Sequence, residues 1–342
     1  MHREPTGRGA GYGLDDGLGI RFVETESDGE ITEVLEVAAT LASHPAAEQA
    51  VRARSARYAG IGIGAVASVR RVERVAGGLR VVADVPAGLR LSDLLADLEF
   101  GNESLSDAGV LEIASAVIAA VAAIHELPGG LAHGAVNPSH AVLAADGRVV
   151  LTDGVFATTL EALQLNREQL WREYGLALPA AASLPRFDQR ADVTALGAIV
   201  LALVLRRSLR RDEYPRGVAD LVLAATKDAS SPYGSALNMW LQQTLQLHPR
   251  SGFSAGAAAQ RAFAEIVSAV PGVRRAGPQA VQALLRGRGL GAPVEPPLPP
   301  APRPALVPAA RPQAAQPRPT QPRPPRGAAA FLRSMFSNPG TS

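Results

Sequence analysis

Cysteine is absent from the 342 residues of this chain, and two other kinds of residue are scarce. The missing cysteines exclude disulfide bonds and thiolate metal sites, and they favour an intracellular setting. Aromatic residues make up 4% of the chain, and Lys227 is its single lysine. A site that needs a positive charge elsewhere in the chain must therefore use arginine or histidine.

No apolar run that we identify in the sequence reaches the length of a membrane span. The longest helical run, residues 193–205, has 13 residues, whereas roughly 20 are needed to cross a bilayer. Residues 1–19 are rich in glycine and carry Asp15 and Asp16, a composition unlike that of a secretory signal. We therefore expect a cytoplasmic protein without a transmembrane segment.

Charge is distributed unevenly along the chain. The formal net charge is +2, but residues 271–342 contain ten arginines and one acid, so they carry +9 and the remaining residues carry −7. Fourteen prolines lie between residues 293 and 325, and such a composition favours polyproline II over a packed core. We predict a disordered tail, rich in proline and arginine, over residues 291–342.

One stretch combines a loop, a tight hairpin and an acidic residue. It begins at His133, passes His140 and Asp146-Gly147, and ends at Asp153. An Asp-Gly pair between two apolar runs is a strong hairpin signal, because both residues tolerate the positive φ angles of the turn. The second apolar run ends directly before the acidic residue.

This stretch resembles the protein kinase family, whose catalytic loop reads H-R-D-L-K-P-x-N and whose next hairpin leads to D-F-G. A second similarity begins at Asp192, where the chain reads D-V-T-A-L-G. The resemblance covers about residues 60–270 and implies an α+β, bilobal, bacterial serine/threonine protein kinase-like fold. It also implies architectural roles for His133, Pro138, Asp192 and Gly197.

The residues that carry out phosphoryl transfer in that family are replaced in this chain. Kinases use a loop Asp as base, a loop Asn and the D-F-G Asp for Mg²⁺, and a strand Lys for the phosphates. By the resemblance, Ala135 stands at the base, Asn137 at the loop Lys and His140 at the metal-binding Asn. A methyl group accepts no proton, and imidazole prefers softer metals than Mg²⁺. The resemblance therefore implies a pseudokinase.

Asp153 is the one position of this chemistry that is retained. Two interpretations of it stay open: a residue that caps the turn, and a weak ligand for Mg²⁺ or Mn²⁺ with ATP. Arg52 or Arg54 is an alternative to the missing phosphate-binding lysine, although the planar guanidinium is a different ligand from an ammonium group.

Three histidines, His125, His133 and His140, raise the question of a zinc site. We disfavour zinc because the first histidine ends a predicted helix while the other two lie in a loop, and no carboxylate lies at ligand spacing. A structural His133 and a surface His125 are the expected arrangement.

The predicted domain order follows the two lobes of the resemblance. It comprises a disordered lead-in (1–19), a small N-lobe-like α+β unit (20–88), a helical C-lobe (89–270), a C-terminal helix or linker (271–290) and the tail (291–342). Within the small unit we predict a strand at 20–23, helices over 31–41 and 46–58, and a hairpin over 66–85. Long helices are predicted at 106–125 and 192–205.

The leading hypothesis is a non-catalytic scaffold or regulator in bacterial signalling, with an unidentified protein partner bound by the C-lobe or the tail. We expect no cofactor, or ATP with Mg²⁺ or Mn²⁺ bound weakly. One alternative is a divergent serine/threonine kinase or nucleotide-binding transferase that uses Asp153 for the metal. Another is an adaptor that acts through its Pro-rich tail. The tail lacks interleaved aromatic residues, so no specific nucleic-acid binding is expected.

Overall fold

The computed structural model describes residues 14–26, 29–59, 64–76, 78–180, 184–227, 233–248 and 252–290. These residues form a small β-rich lobe and a larger helical lobe. The predicted tail over 291–342 lies outside the described residues, so its state stays a prediction.

The small lobe is built on a five-stranded antiparallel sheet with the order β1-β2-β3-β5-β4. Its strands are β1 (Leu14–Asp15), β2 (Gly19–Thr25), β3 (Ile31–Val37), β4 (Ser68–Val75) and β5 (Gly78–Asp84). Two helices, α1 (Ala39–Ala42) and α2 (Ala47–Ala59), connect β3 to β4.

Register decides which side chains of this sheet face the large lobe. Arg21 of β2 is paired with Leu35 of β3, which is paired with Val81 of β5. Directly paired residues of an antiparallel sheet share one face, and alternate residues along a strand share it too. Arg21 and Glu33 therefore project from the same face of the sheet.

Residues 31–41 differ from their predicted structure. The predicted helix is wrong, because residues 31–37 form β3. Val34 and Leu35 are both buried, on opposite faces of the sheet, and such adjacent apolar pairs imitate a helical repeat. The predicted lead-in also ends earlier than residue 19, since β1 begins at Leu14. The strand at 20–23, the helix at 46–58 and the hairpin at 66–85 correspond to β2, α2 and β4–β5.

A second, three-stranded antiparallel sheet lies where the two lobes meet. Its strands are β6 (Gly88–Arg90), β7 (Ala141–Ala144) and β8 (Val149–Leu151), in that order. The β7–β8 turn contains Gly147 at φ 85°, a left-handed conformation that suits glycine. This is the hairpin that the Asp-Gly pair predicted.

Helices form the rest of the large lobe. They are α3 (Leu91–Glu99), α4 (Asp107–His125), α5 (Ala157–Ala162), α6 (Arg167–Tyr174), α7 (Gln189–Leu205), α8 (Val218–Ala225), α9 (Gly234–Thr244), α10 (Gly256–Ala269) and α11 (Val273–Gly287). The central helix is α7, which is buried along nearly its whole length, as its uninterrupted apolar sequence predicted. A Cβ on Gly197 would lie 2.6 Å from Thr244 Oγ1, so this glycine allows α9 to pack closely against α7.

The longest apolar helix is α4 and not the predicted run at 193–205. Among the described residues α4 alone is long and apolar enough to cross a membrane, with 19 residues and a mean hydropathy of 1.9. Its apolar window is 67% buried inside the protein, because α7, α10 and α11 pack around it. Its composition is therefore that of a core helix in this fold.

Candidate functional site

A buried carboxylate fixes the loop that resembles a catalytic loop. Asp192, in the first turn of α7, accepts hydrogen bonds of 2.6 Å from the backbone amides of both His133 and Gly134. Its third partner is His125 Nε2 at 2.9 Å. Gly134 adopts φ 75°, and a Cβ there would lie 2.4 Å from Ala157 Cβ. These contacts hold the backbone of the loop in place.

His125 is a buried structural residue, which corrects the expected surface position. Its Nδ1 accepts a hydrogen bond of 2.8 Å from the amide of Gly256, and its Nε2 donates to Asp192. The ring therefore ties α4 to α7 and α10. No group of three His, Cys, Asp or Glu residues placed to hold a metal ion occurs within the described ranges.

An arginine of the small lobe fills the cleft between the lobes. The Nε of Arg21 lies 2.8 Å from Asp16 Oδ2, and its Nη1 lies 3.1 Å from both Glu33 Oε1 and Asp153 Oδ1. All four side chains are buried or nearly so. Arg90 extends the group by bonding to Glu33 and to the carbonyl of Ser139.

His140 completes the group from the loop. Its Nδ1 lies 2.6 Å from the carbonyl oxygen of Ala135 and its Nε2 lies 3.1 Å from Asp16 Oδ2. Both ring nitrogens therefore face oxygen atoms of the protein. We call the following six residues the cleft cluster: Asp16, Arg21, Glu33, Arg90, His140 and Asp153.

Three members of the cleft cluster, Asp16, Arg21 and Asp153, favour their charged forms. Burial opposes the charge of Asp153, but the charge of Arg21 outweighs it and holds the pKa of this carboxyl below its usual range. Burial likewise opposes the charge of Asp16, and its bonds to His140 and Arg21 lower its pKa far below normal. The carboxylates also raise the already high pKa of Arg21. The charges therefore stabilise one another.

Asp153 does not cap the turn that follows it, so that interpretation of the sequence is wrong. Its side chain makes no capping hydrogen bond, and its backbone is left-handed at φ 69°. Non-glycine residues seldom adopt this conformation. The carboxylate is instead directed at Arg21 and accepts a hydrogen bond from Thr152 Oγ1.

Asn137 holds the loop in shape. Its Oδ1 accepts a hydrogen bond from the amide of His140 at 3.0 Å, and its Nδ2 donates to the carbonyl of Tyr174 at 3.0 Å. The first of these bonds caps a single helical turn that begins at Pro138. Asn137 thus connects the loop to α6.

Neither arginine expected to replace the phosphate-binding lysine reaches the cleft cluster. Arg54 of α2 donates to the carbonyls of Gly154, Ala132 and His133 at 2.7, 2.7 and 3.2 Å. Arg52 bonds to Glu48 and to the carbonyl of Val72. The cation in the cleft is therefore Arg21 of β2, whereas Arg54 holds the backbone of the loop.

Behind the cleft, His133 packs against Gly154, the residue that follows Asp153. A Cβ on Gly154 would lie 2.7 Å from Tyr58 Oη and 2.8 Å from His133 Cδ2. The glycine therefore leaves room for the tyrosine beside the histidine. Burial lowers the pKa of His133 to about 4, and its Nε2 has no hydrogen-bond partner among the described residues.

Two cavities adjoin the cleft cluster. The first, lined by Arg21, Glu33 and Asp153, has a volume of about 20 Å³, against roughly 300–1,000 Å³ for a ligand pocket. The second is open and has a volume of about 660 Å³. It is bordered by the turn at residues 15–17, the loop at 136–139, α6, α7 and residues 208–211. We call the second cavity the groove.

The chain was compared with known proteins in sequence and in structure. No family model and no curated protein matches it. The solved kinase domain of PknI from Mycobacterium tuberculosis is 21% identical, with a TM-score of 0.52 over 74% of this chain and 93% of that one. The chain has a protein kinase-like fold. A mutant of the same domain, 21% identical, gives a TM-score of 0.52 over 74% of this chain and 92% of that one. The predicted fold class is confirmed.

Sequence analysis identified the residues that the loop contributes to the cleft, but not those that the small lobe contributes. Ala135, Asn137, His140 and Asp153 were named from the sequence, whereas Asp16, Arg21, Glu33 and Arg90 were not. The missed residues belong to the small lobe, outside the motif, and contact it only through the fold. A charged Arg21 inside the apolar strand was the available signal, because a buried arginine requires acidic partners.

Proposed function

We propose that this chain is a pseudokinase, a protein kinase-like domain that transfers no phosphate and acts as a scaffold or regulator for a protein partner. The observation that carries the proposal is the contact between Arg21 and Asp153. The cation occupies the carboxylate that the kinase fold uses for its metal. The cavity left beside this pair is about 20 Å³, too small for a nucleotide.

The loop supports the same proposal. Ala135 is fully buried and its methyl group can neither orient nor deprotonate a hydroxyl. A positioned general base contributes roughly 10²–10⁴-fold to a rate. The family's asparagine offers the metal an oxygen ligand, which the imidazole ring of His140 lacks. The two ring nitrogens of His140 are engaged by Asp16 and by the carbonyl of Ala135.

ATP with Mg²⁺ or Mn²⁺ is the cofactor that a kinase fold implies, and the residues do not fit it in this arrangement. A divalent cation requires several oxygen ligands, yet both carboxylates nearest the loop, Asp16 and Asp153, are paired with Arg21. Binding would require the arginine to leave three buried carboxylates. We assign no step of a reaction to this group.

One observation favours a second candidate, a divergent kinase or nucleotide-binding transferase that uses Asp153 for the metal. The carboxylate remains ionised in the cleft and sits on a left-handed backbone, and such strained residues cluster at functional sites. This candidate requires a state in which Arg21 has moved away from it.

A phosphotransfer assay separates the two candidates. The full chain is incubated with radiolabelled ATP, Mg²⁺ or Mn²⁺ and a generic protein substrate, and no incorporation above background is expected. Transfer that Asp153→Ala abolishes would establish the second candidate. Transfer that survives this substitution would point to a contaminating kinase. A second, independently purified preparation of Asp153→Ala tests for that contaminant.

A further inference from the structure

The smaller of the two cavities beside the cleft cluster, which we call the small cavity, has the size of a single water molecule. Its volume is about 20 Å³, and a cavity needs roughly 10 to 15 Å³ on the same measure to hold one water. It lies between the face of the small-lobe sheet that carries Arg21 and the segment at residues 152–155. Any larger molecule would require these elements to move apart.

Arg21 has more hydrogen-bond donors than its acidic partners use. A guanidinium group carries five N–H groups in a fixed planar arrangement. Its Nε donates to Asp16, and the two N–H groups of Nη1 face Glu33 and Asp153. Its Nη2 lies 2.8 Å from Asp16 Oδ2, the oxygen that Nε already uses, and makes no aligned hydrogen bond within the described residues. Because the two N–H groups of Nη2 diverge, at least one of them points away from Asp16.

The spare donor of Arg21 is buried, since the side chain is only 4% exposed. A buried N–H group without an acceptor destabilises a fold, and internal water molecules commonly satisfy such groups. Arg21 lines the small cavity. A water molecule in this cavity can therefore accept the hydrogen bond for which the described residues provide no aligned acceptor.

The lining of the small cavity also provides the other bonds that an internal water needs. Asp153 and Glu33 line it, and each carboxylate, which can accept about four hydrogen bonds, has two donors among the described residues. Tyr58 lines it as well. The Tyr58 hydroxyl accepts from Arg54, and its own hydrogen has only the distant carbonyl of Ala132, at 3.5 Å, within the described residues. An internal water makes about three hydrogen bonds, and these groups supply them.

We propose that the small cavity is a binding site for one internal water molecule, which bridges Arg21, Asp153 and Tyr58. The water accepts a hydrogen bond from the arginine and donates one to the carboxylate, so it joins β2, α2 and the segment after β8. A metal ion suits the site less well, because the guanidinium group that lines the cavity repels a cation and Mg²⁺ requires several oxygen ligands. The inference rests on the closed cleft of the proposed function.

This water completes the set of donors around Asp153. The carboxylate already accepts hydrogen bonds from Arg21 and Thr152, and the water adds a third. The carboxylate that the kinase fold uses for its metal is then bonded to two side chains of this chain and to one water. The closed cleft therefore needs no further ligand at this position.

A high-resolution crystal structure of the full chain tests the proposal directly. We expect one electron-density peak within hydrogen-bond distance of both Arg21 Nη2 and the Asp153 carboxylate, and no anomalous signal at that peak from a crystal soaked in MnCl₂. The absence of a peak would overturn the proposal and leave the proposed function in place. An anomalous Mn²⁺ peak would overturn the proposal and would also favour the nucleotide-binding transferase over the scaffold.

The variant Val81→Ile tests the proposal in solution. Val81 lines the small cavity and is buried, so the added methylene group should displace the water. Magnetic relaxation dispersion of water deuterons should then show one long-lived internal water fewer than in the parent protein. The melting temperature should fall by about 2 to 4 °C, because Arg21 loses an acceptor. The control Val23→Ile makes the same change at an exposed position of β2 and should leave both readouts unchanged.

Two results in solution would contradict the proposal. Equal numbers of long-lived waters in the parent and in Val81→Ile would mean that the cavity holds no water. A higher melting temperature of Val81→Ile would mean that the methylene group fills a dry space, since cavity filling stabilises a fold. A rise in the melting temperature of the parent with ATP and metal would refute the closed cleft itself, whereas a dry cavity would refute only this inference.

Discussion

Two cavities adjoin the cleft cluster, and their charged residues behave in opposite ways. In the cleft, Arg21 and its three carboxylates are buried and bound to one another, and a space of about 20 Å³ remains. In the groove of about 660 Å³, the guanidinium groups of Arg172 and Arg211 are exposed and have no partner within the described residues. The charges of the cleft hold the fold together, while those of the groove remain available to a partner.

Substitution of the buried Arg21 should lower the free energy of unfolding most. Arg21→Met removes the cation that three carboxylates share and leaves the buried Asp153 without a cationic partner, which costs about 3 to 5 kcal/mol of unfolding free energy. Urea denaturation measures the loss. The control is Arg216→Met, which removes an exposed pair with Glu168 of α6 and should cost at most about 0.5 kcal/mol. Similar losses in the two variants would contradict the contrast.

Acidification should lower the stability of the fold through His133, which lies behind the cleft. Its pKa is 6.5 in the unfolded chain and about 4 in the fold, so between these values the unfolded chain binds more protons. Stability therefore falls as pH decreases from 6.5 to 4, by about 3 kcal/mol from this ring, and its contribution is constant below. The lowered pKa values of Asp16 and Asp153 add a separate loss below pH 3.8.

The variant His133→Phe isolates this contribution. Denaturation across the pH range should show a shallower slope between pH 6.5 and 4 than the parent protein, with the loss below pH 3.8 retained. An unchanged slope between 6.5 and 4 would mean that the ring is not held neutral by burial.

Removal of the Arg54 side chain, which holds the loop backbone, should have an intermediate effect on stability. Arg54→Ala deletes the donor for the carbonyls of Gly154, Ala132 and His133, and hydrogen bonds from charged groups are worth about 1.5 to 3 kcal/mol. We expect a loss of about 2 kcal/mol in chemical denaturation. Arg54→Lys keeps the charge without the planar fork and should recover only part of it; full recovery would reduce the interaction to charge alone.

Substitutions at the groove rim should have the smallest effect on stability. Arg172→Ala and Arg211→Ala remove exposed side chains without internal partners and should change the free energy of unfolding by less than about 0.5 kcal/mol. Thermal denaturation checks this. A loss above 1 kcal/mol would show that these arginines serve the fold, as Arg21 does.

The sequence predicted local features of this molecule better than contacts between its lobes. The hairpin at Gly147 and the buried α7 were predicted because turn residues and apolar runs act over short distances. By contrast, Arg21 and Asp153 are 132 positions apart and meet only in the folded chain. The position of Arg21 inside an apolar strand indicates burial, but no local pattern identifies Asp153 as its partner.

The strand order explains the one element whose type was mistaken. β3 lies in the middle of its sheet, between β2 and β5, so it is buried on both faces and lacks the alternation of a half-exposed strand. The resemblance directed attention to Ala135 and His140. Their partners in the fold, a carbonyl and Asp16, required the structure.

Nucleotide binding tests most directly the claim that the contact between Arg21 and Asp153 closes the cleft. The melting temperature of the full chain is measured with millimolar ATP and Mg²⁺ or Mn²⁺, against AMP and metal alone. A ligand that binds only the folded state stabilises it by RT ln(1 + [L]/Kd), about 2.7 kcal/mol at a hundredfold excess over Kd. We predict an unchanged melting temperature. A rise specific to ATP with metal, lost in Asp153→Ala, would contradict the account.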